Sequence, residues 1–333
     1  MPESLDTCPP EFFRLGMYSW TLQTYLRLKA DGFPCELTGS CPTEGIIFAG
    51  RSAFPETMQP GTRQLMVVHQ GDKTRHPYAQ LHIVQNLQDE ILVRALPLWE
   101  SYYMRHWPQP GLIPRNPARG DRFENIAYFG REENLAPELR ESSWQDQLNS
   151  LGLRWHIRSN PNSWQDYSEV DAILAVRKFA RQTDYDWKPA TKLYQAWHAG
   201  VPAILGQESA YRSERKSQLD YLEVTTPEEA ILALKRLQKD RELRRAMIEN
   251  GRVCAQETQP EKLVAQWRTF LADVAVPAYD RWCTSSNLTR KIFLMRRDLA
   301  IKTKGMRKGL QRARNSVGIR TRIRSALAKA RGV

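Results

Sequence analysis

From Asn125 to Val224 short apolar runs alternate with helical or turn segments. "ENIAYFG" precedes "SWQDQLNSLG", in which Ser142 or Ser143 is placed to cap and Gly152 to stop a helix. "LRWHIRS" precedes "NSWQDYSEV", and "DAILAVR" precedes "KPATKLYQAWHAG", which leads straight into "VPAILG" and then "LDYLEV". The apolar runs do not alternate with polar residues, so each predicts a strand buried on both faces. Such strands separated by helices make a parallel, doubly wound sheet. Two helices follow, "TPEEAILALKRLQKD" and "RELRRAMIENG". Thr226 is placed to cap the first, Pro227 sits at its first position and Glu229 completes a capping box. A longer helix, "EKLVAQWRTFLADVAVPAYDRW", is expected to break near Pro277.

The chain before Asn125 carries a weaker version of the same pattern. "FFRLGMY", "CELT", "GIIFAG", "QLMVVHQ" and "LHIVQN" are strand candidates, and Leu22, Tyr25 and Leu26 share one face of a helix ending near Gly32. Between the halves, "HWPQPGLIPRNPARGDR" holds Pro108, Pro110, Pro114 and Pro117. Proline lacks a backbone donor and restricts its predecessor, so His106 to Arg122 reads as a connection between two domains. The expected division is 1–117, 118–283 with a returning C-terminal helix, and a tail, 284–333.

Net charge decides what the tail is for. The chain carries +12, but Ser286 to Val333 holds 15 lysines and arginines against one acid, Asp298. The body has 34 basic and 36 acidic residues, and that near-neutral charge argues against a nucleic-acid role for it. In the tail Leu288, Ile292, Met295 and Leu299 lie on one helical face, and Ile319, Ile323 and Leu327 repeat the spacing. A basic amphipathic helix predicts peripheral docking on an anionic membrane surface. Five scattered cysteines without a Cys-x-x-Cys pair, no secretory signal and no spanning apolar run point to a cytoplasmic protein, peripheral at the inner face of the membrane.

Two features draw the eye to one edge of the second sheet. The helix expected from Lys188 to Ala199 buries Leu193, Ala196 and Trp197 and carries Lys188 and Lys192 near its start. A helix N-terminus is already positive, so lysines there are useful when an anion docks. "YFGREEN" places Gly130 and Arg131 just beyond the first strand of the same sheet, where a guanidinium can grip phosphate. Neither Gly-x-Gly-x-x-Gly nor a phosphate-loop motif occurs.

On these residues the chain resembles glycosyltransferases of the GT-B fold. The resemblance rests on "YFGR", "DAILAVR", "KPATKLYQAWHAGVPAILG" and the helices from Pro227 to Arg252, and is strongest over Asn125 to Trp267. The wider pattern is similar to glycosyltransferase-like proteins of cyanobacteria. It implies two Rossmann-like doubly wound domains facing across a cleft, with a nucleotide-sugar donor on the second and an acceptor, lipid-linked or glycan, on the first. Arg131, Lys188 and Lys192 would hold the donor phosphates without a metal or other cofactor. Ser19, Trp20, Asn86, Gly130 and Gly206 would line the cleft, and His69 and Asp72 are the candidate catalytic bases. Paired glutamates of many retaining members are missing: Trp187 and Gln195 stand there. "TDYDW", Asp184 to Asp186, is a weak metal-binding string. A GT-B-like protein without catalysis, or a sugar-nucleotide enzyme such as an epimerase, fits the same layout.

Overall fold

The computed structural model describes Ser4, Leu5, Cys8, Phe13 and residues 18–89, 99–179 and 185–303. Two parallel sheets organise it, which is the α/β layout expected. The first contains β1 (Gly45–Gly50), β2 (Gln64–His69), β3 (Leu81–Val84) and β4 (Glu100–Tyr103), in that order. The second contains β5 (Asn125–Phe129), β6 (Arg154–Arg158), β7 (Ala172–Ala175), β8 (Ala203–Leu205) and β9 (Leu222–Glu223), ordered β6-β5-β7-β8-β9. Every pairing is parallel. In the second sheet the order reverses between β5 and β7, which creates a switch point where the loops leave in opposite directions.

The apolar runs of the second sheet are buried as expected, for example Ile126, Ala127, Ile173 and Leu174, whereas β1, "GIIFAG", is half-buried along its length. Each large aliphatic side chain so buried contributes about 1.5–3 kcal/mol. The first sheet's core is completed from far along the chain. Leu263, Val264, Trp267 and Phe270 of the Pro260–Phe270 helix pack with Trp20, Leu65, Val67 and Ile83. The chain then runs through a π-helical turn, Leu271–Ala275, into Val276–Thr284. The expected break at Pro277 is thus a register change, because Pro277 sits in the first turn of the new segment, where its missing N–H costs nothing.

Several local expectations are corrected. Residues 35–38, "CELT", are not a strand, and β4 was not anticipated from its sequence "ESYY". Of "FFRLGMY", Tyr18 opens a π turn, while Phe12 and residues 14–17 lie outside the described residues. The Arg241–Ala255 helix continues past Gly251. A Cβ on Gly251 would stand 3.0 Å from Trp197, so this glycine serves close helix packing rather than a stop.

The proline-rich connection is neither long helix nor sheet, and it is tied to the second sheet. Asp171, just before β7, accepts from Arg115 Nε (3.0 Å), from Arg119 Nε and Nη2 (2.8 Å each), and from the backbone N–H groups of Glu124 and Asn125 (2.9 Å each). Burial alone would raise the Asp171 carboxyl, but these donors hold it below the usual range.

The first part of the tail is a helix over 287–303, and it docks on the first sheet's side of the molecule. Arg297 is buried and donates to the Ala79 carbonyl (3.1 Å), Tyr78 donates to Asp298 (2.6 Å), and Arg297 lies over Phe293. Residues 304–333, including the repeat of Ile319, Ile323 and Leu327, lie outside the described residues.

Candidate active site

The carboxyl edges of the two sheets line a common cleft of about 500 Å³. From the first sheet come Gly50 at the end of β1 and Arg51 after it, His69 at the end of β2 and Gln70 to Lys73 after it, and Gln85 after β3. From the second come Gly130 and Arg131 after β5, Arg177 after β7, Lys188 and Pro189 ahead of the next helix, and Thr191 and Lys192 at its start. Gly130, Arg131 and Arg177 therefore flank the switch point between β5 and β7, where open α/β sheets bind ligands.

The second-domain wall is cationic. Gly130 has φ of +146°, and a Cβ there would lie 2.9 Å from the Tyr128 hydroxyl and 3.3 Å from Lys192 Nζ. Glycine thus lets the turn approach the ammonium closely. Lys192 lies over the Tyr128 ring at 5.2 Å and, among the described residues, has neither a hydrogen bond nor an ion pair. Burial, then the neighbouring Arg177, pull its pKa down to about 7, against a partial counter-effect of Glu208. Arg177 is held by Glu208 (3.1 Å) and Asn134 (3.2 Å). Arg131 stands exposed at the rim, with a loose 3.9 Å approach to Glu133.

The helix itself begins later than expected, at Thr191, with Ala190 as its N-cap and no side-chain cap. Lys188 precedes Pro189, and the residue before a proline is disfavoured in helical conformation. Lys192 therefore occupies the first turn while Lys188 reaches the cleft from the preceding loop. The uncapped N–H groups of that turn remain available at the cleft wall. At the other end Gly200, φ +68°, closes the helix.

Two expected residues meet across the cleft. Lys188 Nζ contacts Asp72 Oδ2 at 2.5 Å, joining the second domain's cationic wall to the loop after β2. His69, the other expected base, is 6% exposed and stacks on Trp20 at 4.2 Å with its Nε2 unpaired. Burial, then the charge of His106, push it down to about 3. A group so weakly basic is a poor proton acceptor near neutral pH, and His69 is better suited to hydrogen bonding.

Of the expected cleft-lining residues, Ser19 and Gly130 do line the cleft. Trp20 is fully buried behind the wall, as the platform under His69. Asn86 is 1% exposed and fastens the domains, donating to the Lys188 carbonyl (3.1 Å) and Ser209 Oγ (2.9 Å). Gly206 is buried beside β7, where a Cβ would come within 3.0 Å of Val176. Its smallness permits strand packing, and it does not face the cleft. Gln195 lines the cleft, but its Oε1 accepts from Tyr167 at 3.1 Å. Asp186 lies in the turn before Lys188, and Asp184 lies outside the described residues.

Sequence reasoning passed over Arg177, His106 and Gln70. Arg177 ends the "DAILAVR" run, so its place at a strand's carboxyl end was a usable signal. His106 sat inside the proline-rich connection. Its ring nitrogen Nδ1 lies 2.7 Å from the Trp107 carbonyl, and burial lowers its pKa below the ordinary value despite nearby Asp72. A second interdomain cluster centres on buried Glu214, which accepts from Tyr103, from Tyr194 at 2.8 Å and from Arg105 at 3.1 Å.

Among solved structures, the chain is similar to a sucrose-phosphate synthase from Thermosynechococcus elongatus, with 15% identity, 70% of this chain and 74% of that one covered, and a TM-score of 0.49. It is similar to Anabaena HepE in complex with UDP-glucose, with 11% identity, 82% and 97% covered, and a TM-score of 0.47. A third is the pneumococcal O-GlcNAc transferase GtfA in complex with UDP and GlcNAc, at 14% identity, 64% and 53% covered, and a TM-score of 0.43. No family model and no curated protein sequence matches the chain.

Proposed function

We propose that the chain is a glycosyltransferase that binds a nucleotide-diphosphate sugar against the second sheet and transfers the sugar to an acceptor held by the first. The observation that carries this reading is Lys192: an ammonium without an ion-pair partner among the described residues, at an uncapped helix N-terminus, beside Arg177 and the Gly130 turn. A half-buried cation left unpaired is costly, and a diphosphate supplies the missing anion. Arg131 and Lys188 complete the cationic wall. They stand where the leaving diphosphate gathers charge, which is the main electrostatic demand of glycosyl transfer. The role is assigned to these side chains rather than to a metal ion.

In the transfer, the acceptor oxygen bonds to the anomeric carbon as the bond from that carbon to the diphosphate breaks. The bonding electron pair leaves with the diphosphate, and the acceptor proton passes to Asp72. In the empty protein Lys188 occupies the Asp72 carboxylate. A bound diphosphate competes for Lys188 and frees Asp72 at the cleft. His69 serves as a neutral hydrogen-bonding group rather than the base.

Titration calorimetry with UDP and GDP tests the reading. Lys192→Ala is expected to weaken nucleotide binding by about 1–3 kcal/mol, the scale of a charged hydrogen bond. Unchanged affinity in both Lys192→Ala and Arg131→Ala would overturn it. A binding protein without turnover is the second reading, favoured by the neutral Gln195 engaged with Tyr167. Release of free sugar or transfer from labelled UDP-sugars separates the two.

The 287–303 helix gives the protein a membrane-facing surface in this reading. Leu288, Met295 and Leu299 are each more than 60% exposed, and Ile292 is 40% exposed, although the opposite face is fastened through Phe293 and Arg297. Lys291, Arg296 and Lys302 flank the stripe. An apolar stripe with a basic border matches an anionic lipid surface. No helix among the described residues is long and apolar enough to cross a membrane.

A further inference from the structure

We infer that Glu208, a buried carboxylate behind the cleft wall, is a positioning residue for the donor: it fixes the Arg177 guanidinium in the diphosphate site and offsets the repulsion between Arg177 and Lys192. The inference rests on the glycosyltransferase reading and adds a residue to that same site.

The fold brings the two residues together at the ends of paired strands. β7 and β8 run parallel with Ala175 opposite Leu205, so Arg177 and Glu208 each follow one of two neighbouring strand ends. Gly206 lets those ends approach, since a Cβ there would stand 3.0 Å from Val176. The Glu208 side chain is 4% exposed, whereas Arg177 lines the cleft with its side chain 17% exposed. Both Glu208 carboxylate oxygens lie 3.1 Å from Arg177 Nε, and Asn134 Oδ1 accepts from Nη1 at 3.2 Å. No hydrogen bond among the described residues takes up Nη2. The guanidinium is therefore clamped through two of its nitrogens and keeps the third for a ligand.

Charge is the second part of the role. Burial lowers the Lys192 pKa most, and Arg177 lowers it further, while Glu208 raises it. Lys188 also opposes the Lys192 charge, but is itself paired with Asp72. Burial works against the Arg177 charge too, and Glu208 leads the groups that outweigh it. Tyr128 and Tyr211 face the same cluster, and burial raises both phenols, so both stay neutral near pH 7. A neutral side chain at position 208 would leave two cations together without a counter-charge, and Lys192 would give up its proton at lower pH.

Calorimetry with UDP-glucose and GDP-mannose on the full chain, from about pH 5 to 8.5, tests the inference. The variants are Glu208→Gln, Glu208→Asp, Arg177→Met and the double variant Glu208→Gln with Arg177→Met, each checked for folding by circular dichroism. Glu208→Gln is expected to bind about tenfold more weakly at pH 5, with its affinity falling from a pH about one unit lower than in the native chain. Glu208→Asp keeps the charge on a side chain one methylene shorter. It is expected to lose about fivefold in affinity with the pH profile unmoved, and it carries the test where Glu208→Gln does not fold. Because Glu208 acts through Arg177, the double variant should bind within about twofold of Arg177→Met at pH 5. Native affinity in either folded Glu208 variant, an unmoved pH profile in Glu208→Gln, or a double variant whose losses multiply would each overturn it. If neither nucleotide sugar binds the native chain, the donor reading fails and takes this inference with it. If the native chain binds one and the Glu208 variants match it, this inference alone fails.

Discussion

Raising the pH should release the donor, and Lys192 sets the size of the effect. Its pKa in the empty protein is pulled down to about 7, from an ordinary 10.5. A bound diphosphate stabilises the ammonium and raises that pKa again, so the complex holds a proton that the empty site gives up. Binding above pH 7 must then include proton uptake, and affinity falls by up to about tenfold per pH unit until the bound-state pKa is reached. Between pH 6 and pH 8.5 the expected loss is roughly 30-fold, provided Lys192 stays protonated in the complex. A nucleotide-diphosphate sugar is the right ligand, because its phosphates do not titrate in that window. The neighbouring groups do not confuse the result. His69 is down at about 3, His106 is lowered, Tyr128 is pushed up to about 12, and Arg177 stays protonated throughout. Calorimetry with UDP-glucose in two buffers of different ionisation enthalpy would read both the affinity and the protons taken up. Lys192→Met should bind weakly with no pH dependence, and Lys192→Arg should bind with little pH dependence. A flat profile in the native chain, or an unaltered slope in Lys192→Met, would refute the assignment. For the empty protein the sign is separate: the unfolded chain keeps the Lys192 proton longer, so this group adds stability as pH rises from about 7 towards 10.5.

Other consequences follow from single contacts. Gly130→Ala puts a Cβ 2.9 Å from the Tyr128 hydroxyl and crowds Lys192, at a φ that alanine rarely adopts. It should weaken UDP binding at least tenfold by calorimetry, with a folding cost of about 1–3 kcal/mol. Glu214→Leu strands half-buried Arg105 and leaves Tyr103 and Tyr194 without their acceptor. Urea denaturation should show a loss of about 3–5 kcal/mol, and an unchanged midpoint would mean that this cluster does not hold the domains together. Full-length chain should sediment with anionic phosphatidylserine vesicles and less so at high salt. The triple variant Leu288→Ser, Met295→Ser, Leu299→Ser should stay in the supernatant. These side chains are exposed, so their loss leaves the fold intact, and equal sedimentation would remove the helix from membrane docking.

The sequence by itself determined what depends on neighbours in the chain. Apolar runs such as "DAILAVR" favour burial on both faces of a sheet, so the parallel sheets were legible. So were the Gly130 turn at a strand end, the Thr226 cap, whose Oγ1 accepts from Glu229 N at 3.1 Å, and the stripe of Leu288, Ile292, Met295 and Leu299. Only the tertiary structure decided who meets whom. Asp72 and Lys188 are 116 positions apart, and nothing local marks them as partners. Asn86 and Gly206 look like cleft residues because they end strands, but neighbouring elements cover those ends. Lys192 is the sharpest case. Its place near a helix start could be read from Pro189, but its low pKa comes from burial beside Arg177, delivered by another strand. Desolvation and Coulomb energy depend on distance and on the surrounding dielectric, and neither is written along the chain until it folds.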